Sequence, residues 1–430
     1  MKQFFTTLCF ALSCLAVNAQ LNGNYTIDLS GTATATNYLS VNAAVSDLAT
    51  GTRTDGGPVN GPGVSGPVTL RIVTGTGPYN EQITFPVITG ASATNTIRLT
   101  GGPGREMIMF TGTTTADRQV IKLNGARHII LDSLTLVNND ASFGFGVHIT
   151  NSADSNTVSN CNVIVNAAST SANFAGIVIG GTTVTTNGDH GDDNLIQNNS
   201  VTGGYYGISM RGSSTTIFNQ RNRIIGNTIQ DVYFYGVYCI YQNLPEISRN
   251  TISVRATATT SAYGIYLSTA DRFIINRNRV ISSGIYGIYL VTANYQNAAS
   301  TSRASVTNNM IGGSFLSTTP YGIYATTNTT NVDFFHNSVS MTSGNGRCMY
   351  ILGGSGNDVR NNSLAYFGST TGYALYITQT TYVSSVDYNN FYAPGSSNFI
   401  YIGAAYTTAT FIGGGGFNTN SRQGDPGYVN

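Results

Sequence analysis

A pentapeptide recurs along this chain at intervals of 23 to 35 residues, and few folds accommodate such a period. It reads Tyr-Gly-Ile-Tyr-Leu at 263–267 and 286–290. Variants stand at 206–210, 235–239, 321–325, 347–351, 373–377 and 398–402, with weaker copies at 145–149 and 175–179. A second motif alternates with the first: an Asn in a polar turn, then an apolar residue two positions on. Its copies are at 198–201, 226–229, 249–252, 277–280, 308–311, 336–339, 361–364 and 389–392. Each repeat thus carries two short strand signals joined by variable polar loops. Helical spacing is missing from this region and hairpin signals are sparse, so the repeats describe coils rather than hairpins. One coil cannot bury its apolar face alone, and the coils must stack.

Stacking gives the asparagines a task. An Asn at one turn of every coil tolerates left-handed backbone, and its amide can bond to the Asn one coil above and below. The expected ladder runs through Asn199, Asn227, Asn250, Asn278, Asn309, Asn337, Asn362 and Asn390, with Cys161 in the same register one coil earlier. The front of the chain fits a capped stack. Val41, Ala44, Val45 and Leu48 follow helical spacing behind Ser40, a suitable N-cap. A short helix there would cover the first coil, which otherwise exposes sheet edges. The expected fold is all-β: a right-handed parallel β-helix (solenoid) with a short N-terminal capping helix. Its expected divisions are a signal peptide over 1–19, a cap and Gly/Pro-rich loop over 20–66, the β-helix over 67–412, and a C-terminal linker or cap remnant over 413–430.

The leader is read from Lys2, the apolar run 4–17 and the small residues before Gln20, with cleavage near Ala19. It predicts a secreted protein or one on the outer-membrane surface, with no membrane insertion. Losing Lys2 takes the formal net charge from +1 to zero. A neutral chain has no basic field to hold phosphates, which argues against nucleic acid as a partner. Cys9 and Cys14 leave with the leader; Cys161, Cys239 and Cys348 read as small buried apolar residues.

Two groups of residues carry candidate chemistry. Strand side chains alternate, so with Ile and Leu inward the Tyr between them points out. Tyr238, Tyr266, Tyr289, Tyr324, Tyr350, Tyr376 and Tyr401 then form an outward stripe on seven successive coils, a candidate ligand-binding face roughly 29 Å long at about 4.8 Å per coil. Tyr offers apolar area with a polar tip, suited to sugar rings or a protein surface. The Tyr before each Gly is harder to orient. The second group is the loop 187–194, with Asp189, His190, Asp192 and Asp193 as catalytic candidates. Asp189, Asp192 and Asp193 are also candidate Ca²⁺ ligands, and no other cofactor is expected. The plain alternative is a solvated loop inserted between coils.

The segments 66–73 (Gly-Pro-Val-Thr-Leu-Arg-Ile-Val) and 77–83 (Gly-Pro-Tyr-Asn-Glu-Gln-Ile) resemble the opening coil of pectin methylesterases and their relatives. With the cap and both repeats, the chain resembles the pectin-lyase-like superfamily of right-handed parallel β-helices. Over 20–430 it also resembles secreted β-helix repeat proteins of the Bacteroidota, and 423–428 looks like a linker leading onward. The resemblance implies a carbohydrate ligand, but the superfamily's catalytic motifs are missing. There is no Asp-Phe-Ile-Phe-Gly strand, no Gly-Arg-Pro-Trp, no Gly-His-Gly with Arg-Ile-Lys, and no Trp at all. Three functions follow as expectations. The first is an exported, non-catalytic, adhesin-like protein binding a polysaccharide, a surface glycan or a surface protein. The others are a polysaccharide lyase or glycoside hydrolase, and a passive stalk within a larger surface protein.

Overall fold

The structure, a computed structural model, describes residues 20–428 except 113, 115, 116, 215, 216, 296–301, 343, 369, 370, 397 and 398. The expected leader lies outside the described residues. The chain winds through about twelve coils of a right-handed parallel β-helix, each laying one strand in each of three sheets. The first sheet runs from Leu21–Ile27 and Asn37–Tyr38 through Val64–Ile72 to Val383–Asp387. The second runs from Tyr79–Asn80 to Arg422–Gln423, and the third from Ile83–Phe85 to Ile400–Ile402 and Ala405–Tyr406.

Alternation sends one set of side chains into the bore. In the coil built from Ile274–Asn276, Arg279–Ser283 and Tyr286–Val291, Ile275, Val280, Ile288 and Leu290 are buried. Each stacks on its equivalent in the next coil: Ile275 on Val306, Val280 on Ile311, Ile288 on Ile323. The core is therefore one continuous column of mostly aliphatic side chains. Cys161, Cys239 and Cys348 lie within it, free and fully buried. Burial pushes the Cys161 thiol up to about 12.

The asparagine ladder fills the corner between the first and second sheets. Asn278 is representative: its Oδ1 accepts both the backbone N–H (3.1 Å) and Nδ2 (3.0 Å) of Asn250. Its own Nδ2 donates to Ile247 O (2.8 Å) and to Asn309 Oδ1 (3.0 Å). The ladder begins where Cys161 N–H meets Asn199 Oδ1 and continues through Asn227, Asn250, Asn278, Asn309, Asn337 and Asn362. Two expectations are corrected. The last rung is Asn389, not Asn390, because the inward residue of that coil is Phe391, which pairs with Leu364. The left-handed residue is also not the ladder Asn but the one before it, such as Asn198, Arg249, Arg277 or His336. The turn is made one position early, leaving the ladder Asn free to aim inward.

A glycine marks the corner between the second and third sheets. A Cβ on Gly264 would stand 2.5 Å from Gly287 O and 2.7 Å from Val280 Cγ1. The strand therefore bends there, and the Tyr before the Gly turns outward.

Both ends are closed. The helix Val41–Thr50 has Ser40 as N-cap, its side chain accepting from Ala43 N–H, and Gly51 as left-handed C-cap. Glu81, from the first coil, accepts the N–H groups of Val41 (3.1 Å) and Asn42 (2.8 Å), placing a carboxylate on the positive end of the helix. At the other end Phe391, Phe399 and Phe411 pack edge to face. Asn418 N–H bonds to Val386 O, and Arg422–Gln423 closes the second sheet by pairing with Asn390–Tyr392. Ala405–Tyr406 doubles back antiparallel on the third. These segments occupy the sheet edges that a bare last coil would expose.

Candidate functional site

The outer face of the third sheet carries two columns of tyrosines. One is the expected stripe, with Tyr238, Tyr266, Tyr289, Tyr324, Tyr350, Tyr376 and Tyr401 paired coil to coil in one register. The other comes from the Tyr that the sequence left unplaced: Tyr206, Tyr235, Tyr263, Tyr286 and Tyr321, then Arg347, then Tyr373. The glycine corner turns this second column to the same side as the first.

The rings form a lattice. In the second column, Tyr206 to Tyr321 stack with centroids 4.9–5.5 Å apart and planes within 22°. Between columns the contacts range from edge to face, as for Tyr263 and Tyr266 at 5.3 Å and 86°, to stacked, as for Tyr286 and Tyr324 at 5.2 Å and 12°. Carbon atoms in contact sit about 3.5–4.0 Å apart. Near-parallel rings with centroids about 5 Å apart must therefore be slipped past one another, and each leaves part of its face uncovered. From Tyr263 and Tyr266 onward the rings are half-buried. Burial first, and neighbouring phenols second, push the Tyr263 hydroxyl up to about 12, and Tyr286 and Tyr324 are raised for the same reasons. Arg347 apart, the face is an array of phenol hydroxyls between apolar rings.

Its upper end is closed by the loop after Phe174–Ile179. Val184 joins Phe145, Val178 and Tyr206 in one buried cluster, in which Tyr238 is also buried. Arg211 ties the loop to the columns, donating to Asn187 Oδ1 (2.8 Å) and Tyr238 Oη (3.1 Å).

The catalytic and Ca²⁺ candidates sit in this loop and face separate partners. Asp193 pairs bidentately with Arg221 (2.6 and 2.7 Å). Asp192 accepts Gln220 N–H (2.7 Å), and Asp189 accepts the Ser152 hydroxyl (2.8 Å). Burial raises Asp192, with Asp154, Asp189 and Asp193 adding to the rise. Among the described residues no three His, Cys, Asp or Glu side chains converge as a metal cage. Asn194, which ends the acidic run, belongs to a second amide ladder: Asn156 N–H donates to it and its own N–H donates to Asn222 (both 3.0 Å). That ladder was legible, since Asn156, Asn194 and Asn222 all precede an inward apolar residue by two positions.

His190 within the loop and His148 on the strand Gly144–Thr150 are buried, each with one ring nitrogen bonded to a carbonyl, Thr186 O and Gly180 O respectively. Burial pulls His148 down to about 4. A histidine lowered in the folded state takes up its proton first in the unfolded chain. Stability should hold above about pH 6.5 and fall as pH drops towards 4, by up to about 3 kcal/mol. Urea midpoints across this range should show the slope, and His148→Gln, which keeps a donor for Gly180, should flatten it.

Together these features define a parallel β-helix with an open aromatic face. Residues 175–364 match the family model described as right handed beta helix region. No curated protein matches the chain in sequence. Among solved structures, the Dettilon tailspike protein is 13% identical, with 78% of this chain aligned at a TM-score of 0.48; the chain spans 62% of the tailspike's length. The DFA-IIIase of Arthrobacter chlorophenolicus A6, solved with GF2, is 12% identical over 88% of this chain and 93% of its own, at 0.47. Pectate lyase Pel9A is 12% identical over 80% of both chains, at 0.41. No helix among the described residues is long and apolar enough to cross a membrane.

Proposed function

We propose that this is an exported protein whose third-sheet face binds a polysaccharide or a cell-surface glycan without cleaving it, in the manner of an adhesin. The supporting observation is the pair of in-register tyrosine columns, open from Tyr263 and Tyr266 onward. A rigid lattice with one ring pair every 4.8 Å or so presents the same surface to successive sugar units, and slipped rings offer both apolar face and hydroxyl. The ordering cost is already met by the fold, which favours binding by preorganisation.

A second reading, a polysaccharide lyase or glycoside hydrolase, is favoured by one observation: Asp192 is raised and has Asp154, Asp189 and Asp193 around it. A panel of polysaccharides separates the two, scored for retention of the full chain and for release of reducing or unsaturated ends, with and without Ca²⁺. Retention without products is the expected result. Calcium-dependent products, abolished by Asp192→Ala, would replace this reading with the enzymatic one.

A further inference from the structure

Arg347 interrupts the second tyrosine column, standing in register between Tyr321 and Tyr373. Its guanidinium carbon lies 4.6 Å from the ring centre of Tyr376, 4.9 Å from Tyr350, 5.6 Å from Tyr321 and 5.7 Å from Tyr373. It takes part in none of the six ion pairs among the described residues. Its Nη1 reaches Tyr321 Oη at 3.5 Å, and its Nε is buried without a partner. The four rings offset part of the cost of holding a partly buried cation, yet they supply no negative charge. A planar guanidinium fixed in this way is suited to a carboxylate or sulfate, which it can meet with paired hydrogen bonds.

We infer that Arg347 is an anion subsite within the aromatic face, so that the preferred ligand is a mostly neutral glycan bearing isolated carboxylate or sulfate groups. This rests on the reading that the face binds glycans. The remaining column positions from Tyr263 to Tyr401 are tyrosines, with no cationic side chain among them. A chain with a charge on every sugar would therefore lay most of its anions against rings with no counter-charge, at a desolvation cost.

The chain has 26 Tyr and no Trp, so its intrinsic emission reports on tyrosine alone. Glucuronate, galactose 6-sulfate and glucose are titrated separately into the full chain and into Arg347→Tyr, which places in this coil the residue its neighbours use. Saturable responses to glucuronate or to the sulfate, at least about tenfold weaker in the variant and for glucose, are expected. A response to both acids means the subsite reads charge; a response to glucuronate alone means it reads the carboxylate fork. Equal responses in parent and variant, or none to either acid, overturn the inference. An array of neutral glycans, run on the parent alone, decides the wider reading of the face independently of Arg347.

Discussion

Asn278→Ala should cost roughly 3–5 kcal/mol of folding free energy. The substitution removes the acceptor for two buried donors of Asn250 and the donor to Ile247 O. Each stranded buried group costs about 1–3 kcal/mol, partly recovered by relaxation. Water cannot easily replace the amide, because Asn278 and the rungs on either side are almost fully buried. Arg279, the next residue, points into solvent, so Arg279→Ala should fall within about 0.5 kcal/mol of the parent. Urea unfolding followed by circular dichroism compares them. If Asn278→Ala were no worse than Arg279→Ala, the amide ladder would not be what holds the corner. Stability in a stack of this kind is a sum of coil and neighbour terms, so a break at mid-ladder should loosen the coils on both sides.

Replacing Tyr289 and Tyr324 together with Ala should weaken glycan binding by at least about thirtyfold while the β-helix remains folded. The pair sits in the middle of the open face, with ring centroids 5.3 Å apart. Each also braces the other column, Tyr289 against Tyr263 and Tyr324 against Tyr286. Losing them removes both contact area and the rigidity of their neighbours. The competing account is that the tyrosines serve only one another. An aromatic pair contributes about 0.5–1.5 kcal/mol, so on that account the double variant loses stability and leaves affinity unchanged. Measuring both quantities on the same preparation tells the accounts apart.

The architecture was legible because a coil repeats its constraints. An inward Ile at the third pentapeptide position and an Asn two residues before an inward apolar residue recur often enough to fix sheet, corner and register. Legibility failed where a rule needed geometry the alternation does not contain. The Asn389 rung was displaced by one residue because Phe391 and Tyr392 are both bulky and apolar enough to be taken for the inward one. The second tyrosine column was left unplaced because period-two alternation cannot see the bend at Gly264, which resets the side-chain direction. The repeat alone does not single out Arg347, which opens one variant of the pentapeptide. Its four ring neighbours come from three different coils, and only stacking brings them together. The partners of the acidic loop could not be read from its spacing. Asp189, Asp192 and Asp193 are close in sequence, but the turn sends them to Ser152, Gln220 and Arg221 on the coils above and below.

The most direct test of the aromatic face is a crystal structure of the full chain with the tightest-binding oligosaccharide from the polysaccharide panel. The sugar units should lie along the third sheet between the two columns, in contact with Tyr286, Tyr289 and Tyr324. A chain seated instead against the first or second sheet, or against Asp189 and Asp192, would contradict it.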